Sequence, residues 1–415
     1  MSPPLPAAKT SSSSLDRVRQ GDLCAGCGAC AGLFPESMRM TTQAPGFLRP
    51  EQIEPLSAAD EATFAAVCPG LGQQVDAAGR RNSVLWGPFE DMWTGWACDP
   101  DIRFAGASGG ALSMILLHLL ENGTVDGVVQ TAAAPDLAIG NVTVLSEGRN
   151  GILAAAGSRY APSAPMGTLR THLDEHRATG RRFAFVGKPC DAVALRALSE
   201  REPTVAAAFP VLLSFFCAGV PSHAGGRAVA ATLGLDPDRL ASFRYRGNGW
   251  PGQATAVDKQ GRAASMSYHD SWGKILSKHV QHRCKICADG TGIAADIVCG
   301  DAWESDAAGY PVFAEAPGIS LIVARTSLGA ELIAAARRAG RIETVPFDLA
   351  TLDAIQPGQR ERRRALLARL AALRLAGRPV PRYRGLRITA AARQNSMGRN
   401  LKNFLGMLRR TLRRR

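Results

Sequence analysis

The sequence predicts an α/β fold with α+β elements, built on a mixed sheet, with a small cysteine-bearing segment ahead of it. Three observations carry this. A Gly-rich turn, Ala107 to Gly110, leads into an apolar helix pattern ending near Asn122, and the strand pattern "VDGVVQ" follows. Two short apolar runs, Phe183–Val186 and Val211–Phe216, each end in a turn that carries a cysteine, Cys190 or Cys217. Open α/β sheets place ligands beyond the carboxyl ends of such strands. Third, residues 21–70 are short, turn-rich and cysteine-bearing, unlike the alternating body.

Taken in order, "MSPPLPAAKTSSSSLDRVRQ" is a Ser- and Pro-rich lead-in, expected to be disordered, and it lacks the apolar core of a secretory signal. The 415 residues suggest two or three domains, and 46% hydrophobic with 20% charged residues is a globular composition. No run reaches the roughly 18 to 20 apolar residues of a membrane span, so a cytoplasmic protein is expected. After "RRFAFVG", Asp191 is placed to cap a helix. "ADIVCGDAWE" and "GISLIVARTSLGAELIAAARRAG" add two strands and a helix, and from about Leu352 the chain turns helical and Arg-rich. Of the formal charge of +13, twelve Arg and Lys lie between Gly377 and Arg415 with no Asp or Glu among them, leaving the rest close to neutral.

Ten cysteines in a reducing compartment point to metal ligation before disulfides. In "GDLCAGCGACAGLFPE", Cys24, Cys27 and Cys30 recur at every third position, as in the cluster-binding run of a bacterial ferredoxin. The position of the fourth ferredoxin cysteine holds Phe34, followed by Pro35. The next cysteine, Cys68, also precedes a proline, and we assign it as the fourth ligand of a 4Fe-4S cluster. The about 37 residues between Cys30 and Cys68 close a loop at an entropic cost that grows only slowly with length. A degenerate remnant and a three-cysteine zinc site are the alternatives. Downstream, Cys284 and Cys287 form a CxxC pair, alone half a zinc ribbon, and Cys190 and Cys217 would complete a second set of four. Cys98 and Cys299 match no ligand position and are expected to be small buried hydrophobes.

In this order, "ASGGALSMILLHLLENGTVDGVV", "GSRYAPS", "FVGKPCDAVALRAL", "FFCAGVPSH", "FRYRGNGWPG", "HRCKICADG" and "ADIVCGDAW" resemble the beta-subunit family of coenzyme F420 hydrogenase and dehydrogenase, over roughly residues 20–345. That family contains iron-sulfur flavoproteins carrying FAD, among them deazaflavin-reducing subunits, a hydroxymethyl-chlorophyll a reductase and a divinyl chlorophyllide reductase. Some members take the fourth ligand of the N-terminal cluster from a distant cysteine, in accord with Cys68. The resemblance implies that Cys190, Cys217, Cys284 and Cys287 hold a second 4Fe-4S cluster near the flavin. It also implies that Ser108, Gly109 and Gly110, Ser158, Arg159 and Tyr160, and Gly187, Lys188 and Pro189 line the FAD. A glycine pair at a helix start suits a pyrophosphate, and Arg159 or Lys188 would neutralise phosphates or a reduced, anionic flavin. It divides the chain into a lead-in (1–20), an iron-sulfur segment (21–75), an N-terminal family domain (80–170), a C-terminal catalytic domain with FAD and the second cluster (175–350), and an Arg-rich helical tail (352–415).

The expected function is an FAD- and 4Fe-4S-dependent oxidoreductase. A ferredoxin or other donor supplies electrons that reach, through two clusters and FAD, a small organic substrate or a deazaflavin coenzyme. An electron-relay subunit without its own substrate is the alternative, and a zinc-ribbon nucleic-acid protein ranks below both. Trp250 and Trp303 either wall the flavin or pack the core, and His223, His279 and His282 lie near the cysteine motifs without a general acid being assigned among them. The tail places Met397, Leu401, Phe404, Leu405, Leu408 and Leu412 on one helix face with Arg and Lys around it. Its readings are a solvated terminal helix, a peripheral contact with the inner membrane surface, an acidic protein partner, and, last, nucleic acid.

Overall fold

The computed structural model describes residues 12–303 and 314–413. Its centre is one eight-stranded mixed sheet formed by β1 (Asp91–Ala97), β2 (Gly127–Ala133), β3 (Asn141–Ser146), β4 (Phe183–Gly187), β5 (Val211–Phe215), β6 (Ile297–Asp301), β7 (Ser320–Ala324) and β8 (Ile342–Pro346). The spatial order is β8-β1-β7-β6-β5-β4-β2-β3. The inner strands β2, β4, β5 and β6 run parallel, with Leu213 opposite both Val186 and Ile297. The pairs β6–β7, β7–β1, β1–β8 and β2–β3 are antiparallel.

The inner strands are continuous apolar runs because both faces are covered. Every residue of β4 and of β7 is buried, whereas the edge strand β8 keeps Glu343, Val345 and Pro346 exposed. The helix α1 (Ala111–Glu121) lays Met114, Ile115 and Leu119 on one face of the sheet, and each such side chain contributes about 1.5–3 kcal/mol by leaving water. Strands from residues 80–170 and from 175–350 lie side by side, so the two segments share one core.

Around this sheet, "GDLCAGCGAC" leads into the short helix Ala29–Leu33, and a hairpin (Met38–Gln43 with Phe47–Gln52) and the helix Ala58–Val67 follow. The lead-in departs from expectation. Residues 1–11 lie outside the described residues, but Ser13–Gly21 is helical. The Ser12 hydroxyl caps it by accepting from Leu15 N, and Leu15 and Val18, three residues apart, are buried against the cysteine segment.

The basic tail is also more integrated than its composition suggests. Between α2 (Pro189–Ser199) and the end of the chain, two helices matter most: α3 (Pro357–Leu375) and α4 (Met397–Leu412). Leu366, Leu370 and Leu373 of α3 pack with Val18, Leu23 and Ile286, and buried Arg363 donates to Ala288 O and Leu386 O. The strand Arg382–Arg384 pairs in parallel with Gly72–Gln74. The predicted apolar face of α4 divides. Phe404, Met407 and Leu408 pack inward, while Met397, Leu401, Leu405 and Leu412 stay exposed; Arg414 and Arg415 lie outside the described residues. Among the described residues no helix is long and apolar enough to cross a membrane.

Candidate functional site

The first quartet assembles where two loops meet. Cys24, Cys27 and Cys30 wind around Gly26 and Gly28, both at positive φ (77° and 82°). A Cβ at Gly28 would come within 2.9 Å of Ala164 Cβ, so glycine is needed for the loop to seat there. Cys68 sits at the end of the helix Ala58–Val67, its N–H donating to Phe64 O at 3.0 Å. All four cysteines line one small cavity with Val18, Met40, Pro50 and Phe64. Phe34 packs with Leu15, Met38 and Phe64 against Cys30 and Cys68, so it shields the site and Cys68 stands beside it. Burial lifts all four thiols above their ordinary range, Cys68 to about 12, and each faces at least one other thiol of the set.

The second quartet forms at the carboxyl ends of β4 and β5. Cys190 lies in the first turn of α2, and Cys217 follows β5, its N–H bonded to Gly290 O at 2.8 Å. Cys284 belongs to the short helix His282–Lys285; its sulfur accepts from Val220 N at 3.4 Å and from Gln281 Nε2 at 3.5 Å. Cys287 donates from Sγ to Asp289 O at 3.1 Å. Burial raises Cys190 and Cys284 and pushes Cys217 up to about 12, with Cys190 and Cys217 facing Cys287 and Cys217 facing Cys284. Helix α3 closes this site: Gln359 Nε2 and Arg362 Nη1 both donate to Cys217 O at 3.0 Å.

The two quartets adjoin. The carboxylate of Asp191 faces both Cys27 and Cys190, and it is neutralised by Lys188 Nζ at 2.8 Å. Gln281 bridges the sets as well, donating to Ala25 O at 3.2 Å. Among the described residues no group of three or more His, Cys, Asp or Glu is disposed to hold a single metal ion. The first quartet instead lines one small cavity, and the thiols of the second face one another; a multi-iron cluster, which holds its ligands at the corners of a cage, fits either set of four sulfurs. Buried Arg283 supports the fit. Its Nη2 donates to Pro69 O at 2.8 Å, but Nε and Nη1 find no acceptor among the described residues, and the electron-rich groups around the guanidinium are the Tyr383 hydroxyl first and then the sulfurs of Cys287, Cys190 and Cys284.

Beside the second quartet a cavity of about 260 Å³ opens at the carboxyl ends of β4, β5 and β6. It brings together Ser108, Gly110, Ser158, Arg159, Tyr160, Gly187 and Lys188 from the three predicted segments; Gly109 and Pro189 stand next to it in the chain without lining it. Cys217 lines it too, so quartet and cavity share a wall. Gly109 and Gly110 have φ of 67° and 68°, and α1 starts there without any side-chain cap. Its first N–H groups, from Ala111 to Ser113, are therefore available to an anion. Ser108 itself is a clasp, its hydroxyl donating to Gly300 O at 2.8 Å. A more open cleft of about 600 Å³, lined by Arg81, Asp91, Trp93 and Phe347, carries none of the predicted residues.

The two cations assigned to phosphate or flavin are occupied. Arg159 donates to Asn141 Oδ1, Phe243 O, Ala138 O and Gly140 O, and Lys188 Nζ donates to Ser163 O and Oγ and pairs with Asp191. Both shape the wall by bracing it. Arg246, in the "FRYRGNGWPG" motif but given no role from sequence, has a similar place: it makes a bidentate pair with Asp301 at 2.8 and 2.7 Å and lies 4.5 Å from the Tyr268 ring and 5.0 Å from Trp303. Trp303 and Tyr268 line the cavity, whereas Trp250 stacks behind Trp303 at 4.9 Å in the core. Cys299 is buried as expected and also reaches the cavity wall; Cys98, expected to be buried, is exposed, because it follows β1 and leaves the sheet.

Comparison with known proteins gives a consistent picture. Residues 180–349 match the family model for the C terminus of the coenzyme F420 hydrogenase/dehydrogenase beta subunit, and residues 92–170 match its N-terminal counterpart. The beta subunit of an F420-dependent formate dehydrogenase 1 from Methanococcus maripaludis is 25% identical over 213 residues, covering 51% of this chain and 52% of that protein. A coenzyme F420-dependent sulfite reductase from Methanocaldococcus jannaschii is 22% identical over 339 residues, 77% of this chain and 46% of that protein. The chain thus spans about half the length of these two relatives. A coenzyme F420 hydrogenase subunit beta from Methanothermobacter thermautotrophicus is 21% identical, over 64% of this chain and 87% of that protein. A chain in a xenon-derivative structure of the F420-reducing [NiFe] hydrogenase complex of Methanosarcina barkeri superposes with a TM-score of 0.49 at 20% identity, covering 70% of this chain and 89% of that one.

Proposed function

The chain belongs to the coenzyme F420 hydrogenase/dehydrogenase beta-subunit family, and from that membership we propose that it is an iron-sulfur flavoprotein oxidoreductase. Cys24, Cys27, Cys30 and Cys68 would hold one 4Fe-4S cluster, Cys190, Cys217, Cys284 and Cys287 the other, and the cavity at the strand ends would hold FAD. The observation that carries the reading is the sequence of sites: first quartet, second quartet and cavity adjoin in that order, joined by Asp191 and by Cys217. Bound clusters supply single-electron steps, and a bound flavin exchanges single electrons for a pair.

The chain's own residues then have definite tasks. The α1 N-terminus would offer its backbone N–H groups to the pyrophosphate, and Arg159 braces the Gly140 and Phe243 carbonyls and the Asn141 side chain around the cavity. The Arg246–Asp301 pair presents a neutral but polar edge beneath Tyr268 and Trp303. Helix α3 holds the Cys217 loop of the second quartet in place through Gln359 and Arg362. The donor is a ferredoxin or similar carrier, and the acceptor is a small organic molecule or a deazaflavin, in keeping with the F420 dependence named for two of the relatives. Exposed Met397, Leu401, Leu405 and Leu412 beside Lys402, Arg409 and Arg413 favour a peripheral contact of α4 with an anionic membrane surface. The reading is tested by anaerobic reductive titration: about one electron per cluster and about two for the flavin are expected. Protein that takes up iron but no flavin under any condition would refute the enzyme reading and leave the relay.

A further inference from the structure

Arg283 is a cation at the boundary of the two quartets that no carboxylate among the described residues neutralises. It precedes Cys284 on the short helix His282–Lys285, and only 3% of the residue is exposed. Its Nη2 hydrogen bond reaches across to Pro69 O, beside Cys68 of the other quartet. The Tyr383 ring covers it at 5.8 Å, and Nε and Nη1 have no acceptor among the described residues. Cys287, Cys190 and Cys284 face it on one side, and it acts on Cys24 and Cys68 on the other. The neighbouring charges are already spent. Lys188 is paired with Asp191, Arg49 is bonded to Gln281 and paired with Asp22, and Arg362 and Arg363 give their hydrogen bonds to backbone carbonyls.

A buried guanidinium with two idle donors is costly unless negative charge lies close to it. We infer that Arg283 is a shared counter-cation for both quartets, its charge set between Cys284 on its own helix and the Cys68–Pro69 turn and holding the two redox centres at raised potential together. The inference rests on the reading that each quartet holds a cluster. Reduction adds negative charge to a buried site, and a fixed positive charge next to it favours the reduced form. One cation between two centres acts on both, so Arg283 is a tuning residue for the whole relay and not a ligand.

The test is an EPR-monitored potentiometric titration of the anaerobically loaded full chain, as wild type, Arg283→Met and Arg283→Lys, with iron per chain measured alongside. Arg283→Met is expected to lower the midpoint of both clusters by at least about tenfold in the one-electron equilibrium, about 59 mV each. Arg283→Lys, which keeps the charge, is expected to recover most of both shifts. Iron lost from Arg283→Met but kept by Arg283→Lys would also support the charge requirement. Unchanged potentials in Arg283→Met, a shift in one cluster only, or equal iron loss from both variants would overturn the inference. A wild-type chain that takes up no iron would instead overturn the function reading, and this inference with it.

Discussion

Replacing Cys68 by alanine tests the least obvious ligand. Its sulfur lies in a cavity with Cys24, Cys27 and Cys30, and the wall around it is apolar, from Val18, Met40, Phe64 and Val67. Among the described residues no other Cys, His, Asp or Glu lines that cavity, so no substitute ligand is at hand. Iron should fall from about eight per chain toward about four, or toward about seven if a three-iron cluster survives on the other cysteines. A second effect concerns stability. A cluster on Cys30 and Cys68 cross-links a loop of about 38 residues, and the chain-entropy relation for such a link gives about 4 kcal/mol. The loaded wild type should therefore exceed the loaded variant by roughly that amount, while metal-free wild type and variant should differ by under about 1 kcal/mol, the change being a buried thiol to methyl. Iron analysis with denaturant unfolding of both forms reads this. Unchanged iron and spectrum in Cys68→Ala, with equal unfolding midpoints when loaded, would refute the assignment.

Other expectations follow from the same geometry. Gly110→Ala places a Cβ 2.5 Å from Ile102 O at a φ of 68°, and should cost about 2 kcal/mol or more and abolish flavin retention, read by denaturation and flavin fluorescence. Asp301→Ala leaves buried Arg246 without its counter-charge and should cost about 3–5 kcal/mol in urea unfolding; a loss below about 1 kcal/mol would contradict the pairing. Burial holds the His172 imidazole below its ordinary pKa, so the unfolded chain takes up that proton first as pH falls below about 6.5. Stability should accordingly be flat above that pH and decline below it, and His172→Phe should flatten the acid limb of a Tm-against-pH series. Serine at Met397, Leu401, Leu405 and Leu412 together should abolish sedimentation with anionic vesicles while leaving the fold intact, since all four are exposed; undiminished sedimentation would remove α4 as the contact.

The strands and the cysteine sets were legible because their signals are local. A continuous apolar run marks a strand covered on both faces, and "FAFVG" and "SLIVA" are such runs, each wholly buried. The position of Cys68 could be reasoned from a missing ligand, since Phe34 cannot bind iron. What stayed hidden depends on contacts distant in sequence. Arg159 and Lys188 read as free cations, but partners at Phe243 and Ser163 absorb their donors. Arg246 gains its meaning only opposite Asp301, and Arg283 only opposite Pro69. The Arg-rich end read as a tail because composition reports charge and not place; Arg363 is in fact buried between Ala288 and Leu386. Residues 1–20 read as disordered from their serines and prolines, yet one of those serines, Ser12, is the cap that starts the helix Ser13–Gly21.

The central claim is that two thiol quartets and one strand-end cavity form a single redox path. Metal and flavin analysis of anaerobically purified protein addresses it most directly. The account predicts a brown protein with about eight iron and about one flavin per chain, bleached by dithionite. A colourless protein carrying zinc, with no flavin, would contradict it.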